Sequence, residues 1–140
     1  MSSFTNILVV SPLPDGLRWV LRKSFSYDVG SLGSKETITV PENFVTDFAT
    51  VPRFMWTAYP KWSRYGSATI IHDYLYYIQK YTRKRSDQIF REALEVLEIS
   101  KTDRFLLYSV VRAFGGKGWK RRIREIEEGS DGGKIYIFDE

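Results

Sequence analysis

From Lys84 onward, apolar residues recur at helical spacing with little interruption, and that half of the chain has few alternatives to helix. Ile89, Phe90, Ala93, Leu94 and Leu97 share one side of a helix expected over about 84–98, with Arg91, Glu92 and Glu95 turned away. The segment "SKTD" (Ser100 to Asp103) reads as a capping box, since a serine hydroxyl accepts from a backbone N–H of the first turn. The helix it opens runs through "RFLLYSVVRAF" and stops at Gly115–Gly116. Upstream, about 63–81 also has helical character, and the short connections favour antiparallel neighbours.

The first half has a different pattern. "NILVV", "LRWVLRKSFSYDV", "ETITV" and "FVTDFATV" are short runs of β character, closed by Pro41 and Pro52. In "PEN", Asn43 suits a turn that needs positive φ. A β-rich half followed by helices predicts an α+β fold: N-terminal hairpins packed on about three C-terminal α-helices, with a short final strand at "KIYIF". The 140 residues are the size of a single domain, 1–140, and 43% hydrophobic content supports a core. Residues 116–140 read as a basic, flexible C-terminal arm ending in that strand.

With no cysteine, disulfide frameworks and zinc–thiolate sites are excluded. A single histidine argues against a zinc peptidase site. The opening "MSSFTNILVV" lacks a basic, then apolar, leader pattern, and no run approaches the roughly 20 apolar residues of a membrane span. Net charge is only +4, but two basic clusters stand out, "KYTRKR" and "KGWKRRIR". Lys117, Lys120, Arg121, Arg122 and Arg124 of the second cluster suit contact with another subunit, nucleic acid or an anionic surface. Alternatively they form a solvated helix balanced by Glu125, Glu127 and Glu128.

That single histidine, His72, lies in "IHDYLYY". At about 100° per residue, Tyr76 and Tyr65 flank it, Ala68, Ile71, Leu75 and Ile78 form the apolar stripe beside it, and Thr69, Asp73 and Lys80 lie on the opposite flank. His72 is therefore expected at the border between core and polar face. On the next helix Asp87 shares its angular position with Leu94, at the edge of the apolar stripe, where it can point at His72 and Tyr76. A carboxylate accepting from imidazole fixes its tautomer and stabilises the cation formed in general-base work, so His72, Asp87 and Tyr76 are the candidate catalytic residues. Asp73 projects elsewhere, and together with Asp47 it is a candidate ligand for a hard cation such as Ca2+. The bland readings are a satisfied histidine, a first-turn acid at Asp87 that favours the helix dipole, and an Asp47 that caps a turn or pairs with Arg53. Ser67, five residues before His72, is not placed for a serine dyad, so water activation is the fitting chemistry.

Two resemblances follow from these residues. "VPENFVTDFATVPRFMW", "YGSATIIHDYLYY", "RSDQIFREAL" and "LLYSVVRAFG" together resemble a family of unknown function found in tailed bacteriophages and prophages, with Asn43 where glycine is usual and Thr50 where serine is usual. That resemblance implies a phage or prophage origin and brings no established activity; the favoured expectation is a virion or virion-assembly protein of the tail, connector or baseplate that acts mainly by protein–protein binding, with a hydrolase as the alternative. The partners of a virion protein would be other phage structural proteins, and its place the virion or the host cytoplasm. Locally, "HDYLY" followed by "SDQIF" is similar to the phospholipase A2 pattern. This implies His72 as the base that activates water, Asp73 as a calcium ligand, Asp87 as the orienting acid and Tyr76 as its hydrogen-bond partner, in a hydrolase of lipid esters or cell-envelope components. The glycine-rich loop that supplies calcium ligands in that superfamily is reduced here to "RYGSAT", and the β-rich first half is foreign to its fold.

Overall fold

Proline, glycine and asparagine divide the first half into short strands. A computed structural model describes residues 3–4, 7–15, 18–30, 36–46 and 65–137. Six strands come first: β1 (Ser3–Phe4), β2 (Val10–Pro12), β3 (Trp19–Leu21), β4 (Phe25–Asp28), β5 (Thr37–Val40) and β6 (Val45–Thr46). They form two antiparallel three-stranded sheets, ordered β1-β4-β5 and β2-β3-β6. In β5 the alternation is regular: Ile38 and Val40 are buried, while Thr37 and Thr39 are exposed. Their buried partners across the ladder are Tyr27 and Phe25. Asn43 takes φ 74° in the turn after β5, as its side chain permits, and its amide donates to Leu21 O.

Four helices follow: α1 (Gly66–Ile78), α2 (Arg83–Val96), α3 (Lys101–Phe114) and α4 (Gly116–Glu127). Thr82 and Ser100 cap α2 and α3, accepting from the Arg85 and Asp103 amides at 3.1 and 3.2 Å. Gln79, at φ 49°, ends α1. One core joins Phe25, Tyr27, Ile38 and Val40 of the first sheet to Ile70, Ile71 and Leu75 of α1, Ile89, Phe90 and Leu94 of α2, and Leu107 and Val111 of α3. Leu13, Val20 and Val45 make a smaller cluster under Tyr136. The fold is α+β with a β-rich N-terminal half, as expected.

Among the described residues there are four helices where about three were expected, the addition being α4. Gly115 stays in the right-handed region (φ −72°, ψ −18°), so one helix passes directly into the next instead of terminating the helical part of the chain. The segment expected as a basic arm is thus helical over Gly116–Glu127, and it packs on α1 and α3. Phe138 of the expected final strand lies outside the described residues, and 134–137 contribute an isolated bridge: Val45 donates to Lys134 O, Tyr136 donates to Asn43 O, and Ile135 pairs with Phe44. Glu92, expected on the solvent face of α2, instead accepts from Tyr27 Oη at 2.8 Å and the Gly30 amide at 3.1 Å, which ties sheet to helix. Thr69, expected on the polar flank, is buried and donates to Tyr65 O. No helix among the described residues is long and apolar enough to cross a membrane.

Phe44 is fully buried at the junction of both sheets, its ring against Tyr74 and Tyr77 of α1. Phe44→Ala should lower the unfolding free energy by about 3–5 kcal/mol, read from urea denaturation at neutral pH. A loss below 1 kcal/mol would mean that the junction is not part of the cooperative core.

Candidate functional site

The site is built on the antiparallel pair α1–α2. His72 lies near the middle of α1 and Asp87 in the first turns of α2, and side by side the two helices bring His72 Nε2 within 2.7 Å of Asp87 Oδ1. Tyr76, one turn after His72, donates to the same oxygen at 2.7 Å. His72 is 3% exposed and Asp87 wholly buried, so the histidine lies inside the expected border position, against the rings of Tyr76 and Phe90. Along its first ten residues α1 buries most of its circumference because sheet, α2 and α4 enclose it.

The second carboxylate oxygen faces two arginines, one of them a hydrogen-bond donor, that the sequence pattern did not place there. Arg112 of α3 donates to Asp87 Oδ2 at 2.7 Å, and the Arg83 guanidinium lies 3.7 Å away. Arg83 also donates to the Val111 and Arg112 carbonyls, which stitches the start of α2 to the end of α3. The i, i+4 spacing of Arg83 and Asp87 was legible in the sequence, but nothing local placed Arg112 there.

Burial alone would raise the Asp87 carboxyl, but the hydrogen bonds from His72, Tyr76 and Arg112 outweigh it and hold the group below the ordinary carboxylate value. An ionised carboxylate only accepts, so Nε2 of His72 is the donor, and in the neutral ring Nδ1 is the basic nitrogen. Burial, then the bond to Asp87, pushes the Tyr76 hydroxyl well above its usual range, so it remains a neutral donor. The same contacts to Asp87 strengthen the hold of Arg112 on its proton.

His72 and Asp73 both line a cleft of about 610 Å³ between α1, α4 and the turn at 132–134. Asp73 accepts from Thr46 Oγ1 of β6, so the second sheet reaches the same cleft. Asp47, Thr50 and Arg53 lie outside the described residues. Among those described, no three His, Cys, Asp or Glu side chains gather around a common point. Calcium needs six to eight oxygens, and Asp73 offers one carboxylate, already engaged by Thr46. The described residues do not make a calcium site.

α4 forms the far wall. Its Trp119 ring stands edge-on to Tyr76 at 5.0 Å, and the Arg122 guanidinium lies over the Tyr77 ring at 3.9 Å while its Nε donates to Tyr77 O. Gly115 is required at the bend, since a Cβ there would stand 2.5 Å from Tyr76 Oη.

A carboxyl whose pKa is lower folded than unfolded stabilises the fold above the unfolded value, about 3.9 for Asp, and that contribution vanishes as pH falls through the folded value. The protein should therefore lose stability on acidification below about pH 4, and Asp87→Asn should be less stable at pH 7 with a flatter acid limb. Denaturant midpoints measured from pH 7 to pH 2 test this, and parallel curves for both proteins would exclude Asp87 as a source of the acid sensitivity. Residues 19–111 match a family described as "Protein of unknown function (DUF1353)", a segment that holds His72, Asp73, Tyr76 and Asp87 but neither Arg112 nor α4. No curated protein and no solved structure matches the chain.

Proposed function

The chain belongs to the DUF1353 family, whose function is unknown, and from the geometry of the site we propose that it is a hydrolase in which His72 is a general base that activates water. The observation that carries this reading is a His–Asp pair whose carboxylate is held ionised, opening through His72 onto a cleft. In the proposed reaction His72 Nδ1 takes a proton from water, and the water oxygen attacks the carbonyl carbon of a carboxylic ester. The tetrahedral intermediate collapses with cleavage of the bond from carbon to the alcohol oxygen. The proton passes from the imidazolium to that oxygen, which leaves an acid and an alcohol. Asp87 keeps the ring in the required tautomer and stabilises its cation, and Tyr76 holds the Asp87 oxygen that His72 uses. A lipid ester or a cell-envelope ester met during entry or lysis would be the biological substrate.

A panel of chromogenic acyl esters and phospholipids tests the reading. His72→Ala should lose about 10²–10⁴-fold in rate while far-UV circular dichroism and a cooperative thermal transition, at a lower midpoint, are retained. His72→Gln, which keeps more of the buried volume, guards against a folding defect in the alanine variant. Rates equal to those of the unaltered protein in a folded variant would exclude His72 as the base.

A second reading is a virion or virion-assembly protein of a tailed phage, acting by protein–protein binding in the particle or in the host cytoplasm. It is favoured by Phe105 and Phe114 of α3, which are 72% and 60% exposed and which a protein partner would cover. Mass spectrometry of purified particles should then find the protein. Its absence, with normal particles made when the gene is deleted, would exclude a structural role.

A further inference from the structure

The basic residues of "KGWKRRIR" are not equivalent once α4 is in place. Lys117, Arg121 and Arg122 line the cleft that holds His72 and Asp73, while Lys120 and Arg124 do not. Arg18 and Lys134 complete the cationic lining, against two acids, Asp73 and Glu125. Several of these charges are already engaged. Arg18 is paired with Asp15 at 2.5 Å. Arg122 is bound to the Tyr77 and Ser130 carbonyls, stacked on Tyr77, and 3.5 Å from Glu125. Asp73 accepts from Thr46. Lys117, Arg121 and Lys134 have no ion-pair partner among the described residues, although they surround one cavity. Like charges gathered around a shared space repel one another, and a bound anion relieves that repulsion.

We propose that Lys117, Arg121 and Lys134 bind a phosphate group of the substrate in the cleft beside His72. A tetrahedral oxyanion suits the arrangement. Lys117 and Arg121 stand one turn apart on α4, Lys134 approaches from the opposing turn, and together they supply a guanidinium fork and two ammonium groups to several oxygens. This deepens the hydrolase reading and rests on it for the word substrate, since it makes the ester one that also carries phosphate. The phosphate source is either a lipid headgroup or a soluble phosphate ester.

The test follows backbone amide shifts of the full chain on titration with inorganic phosphate, at constant ionic strength held with chloride. Saturable shifts are expected at 117–121 and 134. The double variant Lys117→Glu/Arg121→Glu should weaken binding by at least about tenfold. Lys120→Glu/Arg124→Glu carries the same change in net charge on the same helix and should stay within about twofold. No saturable shift, or equal losses in the two double variants, would overturn the proposal and leave the run as a solvated face. Co-sedimentation with vesicles of phosphatidylcholine alone, or mixed with phosphatidylglycerol, separates the sources. Binding to the mixed vesicles that the first double variant abolishes assigns a lipid headgroup; phosphate binding without vesicle binding assigns a soluble ester. Because binding is read without turnover, an inactive protein that binds phosphate would count against the base at His72 and not against this site.

Discussion

Asp87 is the constraint around which the helical half is arranged. A buried carboxylate is tolerable only when its lone pairs are filled, and here the donors come from separate elements: His72 and Tyr76 from α1, Arg112 from α3, with Arg83 of α2 close by. The hydrophobic core would permit many small slides of one helix on another. The two carboxylate oxygens permit far fewer, since each donor must meet its oxygen near 2.7 Å. Polar satisfaction thus sets the register that apolar packing leaves loose.

Dividing that carboxylate between two duties has a chemical consequence. Oδ1 serves the histidine and tyrosine, while Oδ2 serves a permanently charged arginine. The bonds from His72, Tyr76 and Arg112 together keep Asp87 ionised, and an ionised Asp87 dictates which ring nitrogen of His72 carries hydrogen. The same arrangement in a sealed core would be structural alone. What distinguishes this one is the cleft beside it, onto which His72 and Asp73 both open.

The basic segment after Gly115 shows how context sorts like residues. Arg122 has become a packing residue, stacked on Tyr77 and bonded to two backbone carbonyls. Trp119 backs Tyr76 and so supports the Asp87 network from outside. Lys117 and Arg121 line the cleft, and Lys120 and Arg124 do not. The bend that produces this sorting depends on a glycine, because Tyr76 Oη occupies the space of a Cβ at 115.

Local chemistry determined much of this protein before any tertiary contact is considered. The 3.6-residue period and the Ser100 cap fix α2 and α3, the short punctuated runs fix a β-rich first half, and Asn43 fixes a turn. Helical periodicity and short connections also placed Asp87 on the edge of α2 from which it can reach His72. Arg112 on the same carboxylate, the burial of His72, the turning of Glu92 to Tyr27, and the docking of α4 were decided by the tertiary structure alone. Each depends on how far one element sits from another across the core. A one-dimensional pattern records which face of a helix is apolar, and it carries no measure of that distance.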